Sequence, residues 1–102
     1  MATYVTLIKF TSEGPKNLAS FGKQWEAAAQ RVRAMGVKAL GAYGILGPYD
    51  MMFIYEAPDQ RTAAGVALSI SYLGADVQTE TWGTIPLEEF VTLPEALEGK
   101  GP

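Results

Sequence analysis

The run MMFIYEA, residues 51–57, constrains this chain more than any other stretch. Gly47-Pro48-Tyr49-Asp50 precedes it and Pro58-Asp59 follows, so turn chemistry closes both ends. Seven residues bounded in this way are too few for a stable helix, and the aromatic and β-branched content points to a strand. Met51, Phe53 and Tyr55 share one face, and Met52, Ile54 and Glu56 share the other. Both faces are apolar up to Glu56, so the strand belongs inside a sheet with both sides covered.

The rest of the chain arranges itself around that strand. Residues 3–10, TYVTLIKF, form a first strand that is also apolar on both faces. Leu18, Phe21, Trp25, Ala28, Val32 and Met35 recur at spacings of three and four, the stripe of an amphipathic helix. Pro15 suits its first turn and Gly36 its left-handed end. Residues 37–46 make a second strand, in which Gly41 and Gly44 point to a bulge or a close backbone approach. The four-residue turn 47–50 joins it to MMFIYEA as a hairpin. Asp59 is placed to cap a second helix, with Thr62 three residues on. Ala63, Val66, Ala67, Ile70 and Leu73 form its buried stripe, and Gly74 its stop. The threonine-rich alternation of residues 76–85 is a fourth strand, and Pro86 opens a short helical piece.

The order β-α-β-β-α-β defines an α+β, ferredoxin-like antiparallel sheet with both helices on one face. One such domain is expected over residues 1–92, with a polar tail over 93–102. Two helices cover one face of the sheet, and the other is left with apolar side chains. The expected remedy is a second copy of the chain, sheet against sheet. Of the adjacent pair Leu7 and Ile8, one then faces the partner and the other the helices.

Composition removes several function classes. A net charge of −3 and a pI near 4.8 argue against nucleic-acid binding. The chain has no cysteine and no histidine. Thiolate chemistry, the usual haem and zinc ligands and the usual neutral-pH base are thereby absent, so no haem, transition metal or other cofactor is expected; carboxylate-only Mg²⁺ or Ca²⁺ sites stay open, although no D-x-D-x-D-G loop is present. No apolar run approaches the ~20 residues of a membrane span, and no leader pattern opens the chain. The expected setting is cytoplasmic, away from membranes.

The turn Gly47-Pro48-Tyr49-Asp50 also carries a resemblance. With TYVTLIKFTSEG before it, GAYGILGPYDMMFIYEAPD around it, and TAAGVALSISYLGADVQTETW and LEEF after it, the chain resembles the GYD-domain family. The resemblance covers most of residues 3–90. It implies a ferredoxin-like fold of the dimeric α/β-barrel type and implies no particular reaction. Trp82 stands where smaller or aliphatic residues are usual, and IPLEEF replaces the family's Thr/Ser-acidic-acidic helix opening.

The candidate site residues are tyrosines and carboxylates. Asp50 either bonds backbone N–H groups of its turn or serves catalysis, and Tyr49 packs across the hairpin or donates a proton. Glu56 pairs with a cation, for which Lys9 is the candidate, or works as an acid–base group in an apolar site. Glu80 shares a face with Gln78 and Trp82, which guards a sheet edge or points into a cavity shared with a partner. Tyr4, Tyr43 and Tyr55 line a pocket or fill the core. Trp25 reads as core, and Lys16, Lys23, Arg31 and Arg33 as a solvated helix face.

Three functions fit this pattern. The leading one is a homo-oligomeric small-molecule-binding or accessory protein whose cavity lies at the sheet face. A second is a cofactor-independent isomerase or monooxygenase-like enzyme acting on a small aromatic or carbonyl compound. Glu56 or Glu80 would then be the base and Tyr43 or Tyr49 the donor. A third is a purely structural assembly subunit.

Overall fold

A computed structural model describes residues 1–11, 18–72 and 77–95 of the chain. Its elements run β1 (Ala2–Phe10), α1 (Leu18–Ala34), β2 (Lys38–Gly44), β3 (Met51–Ala57), α2 (Gln60–Ser71), β4 (Val77–Gly83) and α3 (Leu87–Phe90). The expected helix start at Pro15, Leu73, the Gly74 stop and the tail beyond residue 95 lie outside the described residues, as does the side chain of Leu18. The four strands form one antiparallel sheet in the order β2-β3-β1-β4, the ferredoxin-like arrangement.

Register fixes the two faces. Tyr4, Thr6 and Ile8 of β1 lie opposite Tyr55, Phe53 and Met51 of β3 and opposite Gly83, Thr81 and Thr79 of β4. This is the helix side. Tyr4, Ile8, Phe53 and Tyr55 are buried with Phe21, Ala28 and Val32 of α1 and Ala63, Val66 and Ile70 of α2. Two edge-to-face ring pairs seat α1 on the sheet: Phe10–Phe21 at 5.2 Å and Trp25–Phe53 at 5.7 Å. Ile8 therefore faces the helices and Leu7 the other side.

Among the described residues, a chain of hydroxyls crosses the core. Thr6, fully buried, shares a 2.8 Å hydrogen bond with the Tyr55 hydroxyl and a 2.9 Å bond with that of Thr81. Burial pushes the Tyr55 phenol above its ordinary value, against the opposing pull of the Thr6 and Thr81 bonds.

Local signals are met where they were expected. The Asp59 carboxylate accepts from both the backbone N–H and the hydroxyl of Thr62, each at 2.7 Å, and starts α2. Those bonds, the hydroxyl's first, hold the Asp59 carboxyl below its ordinary value. Gly36 follows α1 with φ 84°. The β2–β3 ladder slips between Ala39 and Gly41, where a bulge was expected. β2 and β4 are each shorter than their apolar patterns: Ile45 and Leu46 belong to the turn, and Thr84 and Ile85 leave the sheet. Pro86 stands before the first turn of α3, as its cap residue, rather than inside it. Among the described residues no helix is long and apolar enough to cross a membrane.

Candidate functional site

The face away from the helices is built in rows across the sheet. Tyr43, Met52, Leu7 and Glu80 form one row, and Gly41, Ile54, Val5 and Trp82 the next. Lys38, Glu56 and Thr3 form a third. The centre is aliphatic and the margins are aromatic or charged. Tyr43 is 53 % exposed and Trp82 54 %, one near each edge of the sheet. The Tyr43 ring folds back over Gly41. A Cβ there would lie 2.8 Å from the ring, so the missing side chain makes room for the tyrosine.

The turn of residues 47–50 fastens this face. Gly47 has φ 153°, a backbone region essentially confined to glycine. The Asp50 carboxylate accepts from the Phe10 backbone N–H at 2.8 Å, and the Asp50 N–H donates to the Ile8 carbonyl at 2.9 Å. Asp50 thus ties the hairpin to the end of β1. Tyr49 is thereby aimed across β1. Its hydroxyl donates to Glu80 Oε2 at 2.5 Å. Leu7, paired with Met52 on one side and Glu80 on the other, lies under this crossing and is buried. The Glu80 bond, with smaller contributions from burial and the carboxylate's charge, raises the Tyr49 phenol above its ordinary value.

Five of the candidate residues therefore lie on one face: Tyr43, Tyr49, Glu56, Glu80 and Trp82. Tyr4 and Tyr55 do not. They are buried under the helices, stacked with ring centroids 6.0 Å apart, and belong to the core. The cation beside Glu56 is Lys38 rather than Lys9. Lys38 is its cross-strand neighbour on β2, whereas Lys9 is at the far end of β1 beside Gln78. The Lys38–Glu56 separation is 4.0 Å, and the side chains are 69 % and 29 % exposed. A pair this open contributes little, so Glu56→Gln is expected to change stability by less than about 1 kcal/mol in a denaturant melt.

Trp25, expected as plain core, is only partly buried. It lines a groove of about 260 Å³ between α1 and β2 with Ala28, Val32, Ala39, Ala42 and Phe53. The small residues facing it, Ala28 and Ala29 on α1 and Ala39, Gly41 and Ala42 on β2, are the signal that marks this gap in the sequence. Among the described residues no group of three or more His, Cys, Asp or Glu is placed to hold a metal.

The order of strands and the placement of both helices define a ferredoxin-like α+β domain. The model of the GYD domain family matches residues 4–93, and the chain belongs to that family. It is 30 % identical over 92 residues to the Thermus thermophilus protein named glutamine synthetase and cystathionine beta-lyase binding protein. That match covers 89 % of this chain and 96 % of the relative. The crystal structure of TTHA0845, also from Thermus thermophilus, has a TM-score of 0.55 at 21 % identity and covers 83 % of this chain and 94 % of that one. The crystal structure of FFRP-DM1 has a TM-score of 0.50, again at 21 % identity, over 83 % of this chain and 100 % of that one. At such identity the two structures show a common fold alone.

Proposed function

We propose that this chain is a homo-oligomeric accessory or small-molecule-binding protein whose sheet faces meet and enclose a cavity lined by Tyr43, Tyr49, Glu80 and Trp82. The observation that carries this reading is the open face itself. Val5, Met52 and Ile54 are only partly covered, and two aromatic rings stand exposed beside them. Burying a few hundred Å² of such surface contributes several kcal/mol at ~25 cal/mol per Å², before the cost of association. Aromatic rings with polar tips around an aliphatic floor suit a small apolar ligand bearing one or two polar groups. The name of the Thermus relative supports an accessory role in which the partner is another protein.

Sedimentation tests the assembly. The wild type is expected to sediment at no less than twice the 11.0 kDa of one chain, and Ile54→Glu at 11.0 kDa with an unchanged circular-dichroism spectrum. A wild-type monomer at micromolar concentration would overturn the proposal.

The Tyr49–Glu80 bond favours a second reading, a cofactor-independent enzyme on a small aromatic or carbonyl compound. Glu80 would take a proton and Tyr49 would hold the developing oxyanion. Turnover that disappears in Glu80→Gln while the oligomer persists would distinguish the enzyme from the binder.

A further inference from the structure

α1 is seated on β1 and β3 through its ring contacts, and the helix side of β2 stays open. The two β2 residues that lie opposite Tyr55 and Phe53 on that side are Ala39 and Ala42, and both are exposed. The groove of about 260 Å³ between α1 and β2 follows from these short side chains. Buried Phe53, Val32 and Ile70 make its interior apolar. Trp25, partly buried, stands perpendicular to Phe53 with ring centroids 5.7 Å apart. An apolar cavity of ~150 Å³ holds benzene, so this volume has room for two fused rings.

The lining carries two charged side chains, Glu26 and Arg33, both exposed. Seven helical residues separate them, about 10 Å along the axis, so neither neutralises the other. Among the described residues Arg33 has no ion pair. Its guanidinium is always charged, and its planar pair of donors matches the two oxygens of a carboxylate. At the other end Glu26 repels a second anion, so the complementary ligand carries one negative charge, placed at one tip of an apolar body. We propose that this groove binds a flat, two-ring aromatic acid, with its rings against Trp25 and the alanines of β2 and its carboxylate on Arg33. The site lies on the opposite side of the sheet from the face discussed above and needs no second copy of the chain.

The test titrates 2-naphthoate and its neutral counterpart 2-naphthamide into the full chain by calorimetry. 2-Naphthoate is expected to bind about tenfold or more tightly than 2-naphthamide, and Arg33→Gln to remove that difference while leaving the 2-naphthamide Kd within about threefold. Ala42→Leu fills the groove from an exposed position and is expected to abolish binding of both probes. Methyl NMR on the wild type locates the probe without any substitution. Shifts are expected at Ala28, Val32 and Ala42 and not at Val5, Met52 and Ile54 of the opposite face. No binding at millimolar 2-naphthoate, equal affinity for acid and amide, or a preference that persists in Arg33→Gln would each overturn the proposal. So would shifts confined to Val5, Met52 and Ile54, which would instead support the sheet-face reading.

Discussion

Ile8→Glu is expected to abolish the folded state at pH 7, seen as loss of the cooperative thermal transition. Ile8 is fully buried between Met51 and Thr79 on the helix side, within the apolar core cluster. The substituted carboxyl stays protonated there. Holding it neutral at pH 7 against an unfolded pKa of ~4.3 costs about 4 kcal/mol. Loss of the isoleucine's own burial adds ~1.5–3 kcal/mol. The total of about 5.5–7 kcal/mol equals or exceeds the whole stability of a domain at the lower end of the ~5–15 kcal/mol range. The sign with pH follows: the folded-state pKa is raised, so the destabilisation shrinks as pH falls toward ~4, where the unfolded chain is also protonated. Val5→Glu puts the same charge three residues away on the open face and is expected to leave the transition cooperative. Equal melts for the two variants would mean that the assignment of faces is wrong.

The second large effect is at Thr6. Thr6→Val keeps the shape but removes the hydroxyl that both Tyr55 and Thr81 contact. The Tyr55 hydroxyl, on a fully buried residue, then keeps only Thr81 within reach among the described residues, and the Thr81 hydroxyl loses its Thr6 partner; weakened pairing of buried hydroxyls costs about 1–3 kcal/mol. Tyr55→Phe is expected to cost less, about 0.5–1.5 kcal/mol, because Thr6 keeps its bond to Thr81. Denaturant melts of both variants measure the asymmetry. A smaller loss for Thr6→Val than for Tyr55→Phe would show that the hydroxyl chain does not hold the core in this way.

The element order was legible because each element has its own local signal: the 3–4 spacing from Phe21 to Met35, the Asp59 cap, the turn at 47–50. Strand parity was not, because β1 and β3 are apolar on both faces and alternation then carries no direction. β4 holds the clue. Its helix-side residues Val77, Thr79, Thr81 and Gly83 are small, while Gln78, Glu80 and Trp82 are large. On this edge strand the small side chains are the ones turned to the helix side, and the large polar or aromatic ones are turned away from it. The Tyr49–Glu80 bond spans 31 residues, and no local pattern encodes a contact that depends on a hairpin crossing a neighbouring strand. Tyr4 and Tyr55 were ambiguous for a related reason: a tyrosine suits a pocket or a core equally until its hydroxyl's partner is known. For Glu56 the sequence points to Lys9 because β1 neighbours β3, but antiparallel register carries Lys9 to the far end, and β2 brings Lys38 alongside on the same row.

The position of β1 has a consequence for how the chain acquires its shape. β1 is the first strand in sequence, yet its two neighbours are β3 and β4, and Ile8 pairs with Met51 and Thr79. During synthesis it emerges with no edge to join until residues 51–57 have followed it out, and its second edge waits for residues 77–83. Throughout that interval TYVTLIKF is an unpaired, two-sided apolar strand, the kind of segment that associates wrongly between nascent chains. The hairpin β2–β3 closes locally and quickly, whereas inserting β1 beside it requires long loops to be brought together, so that insertion sets the pace of folding.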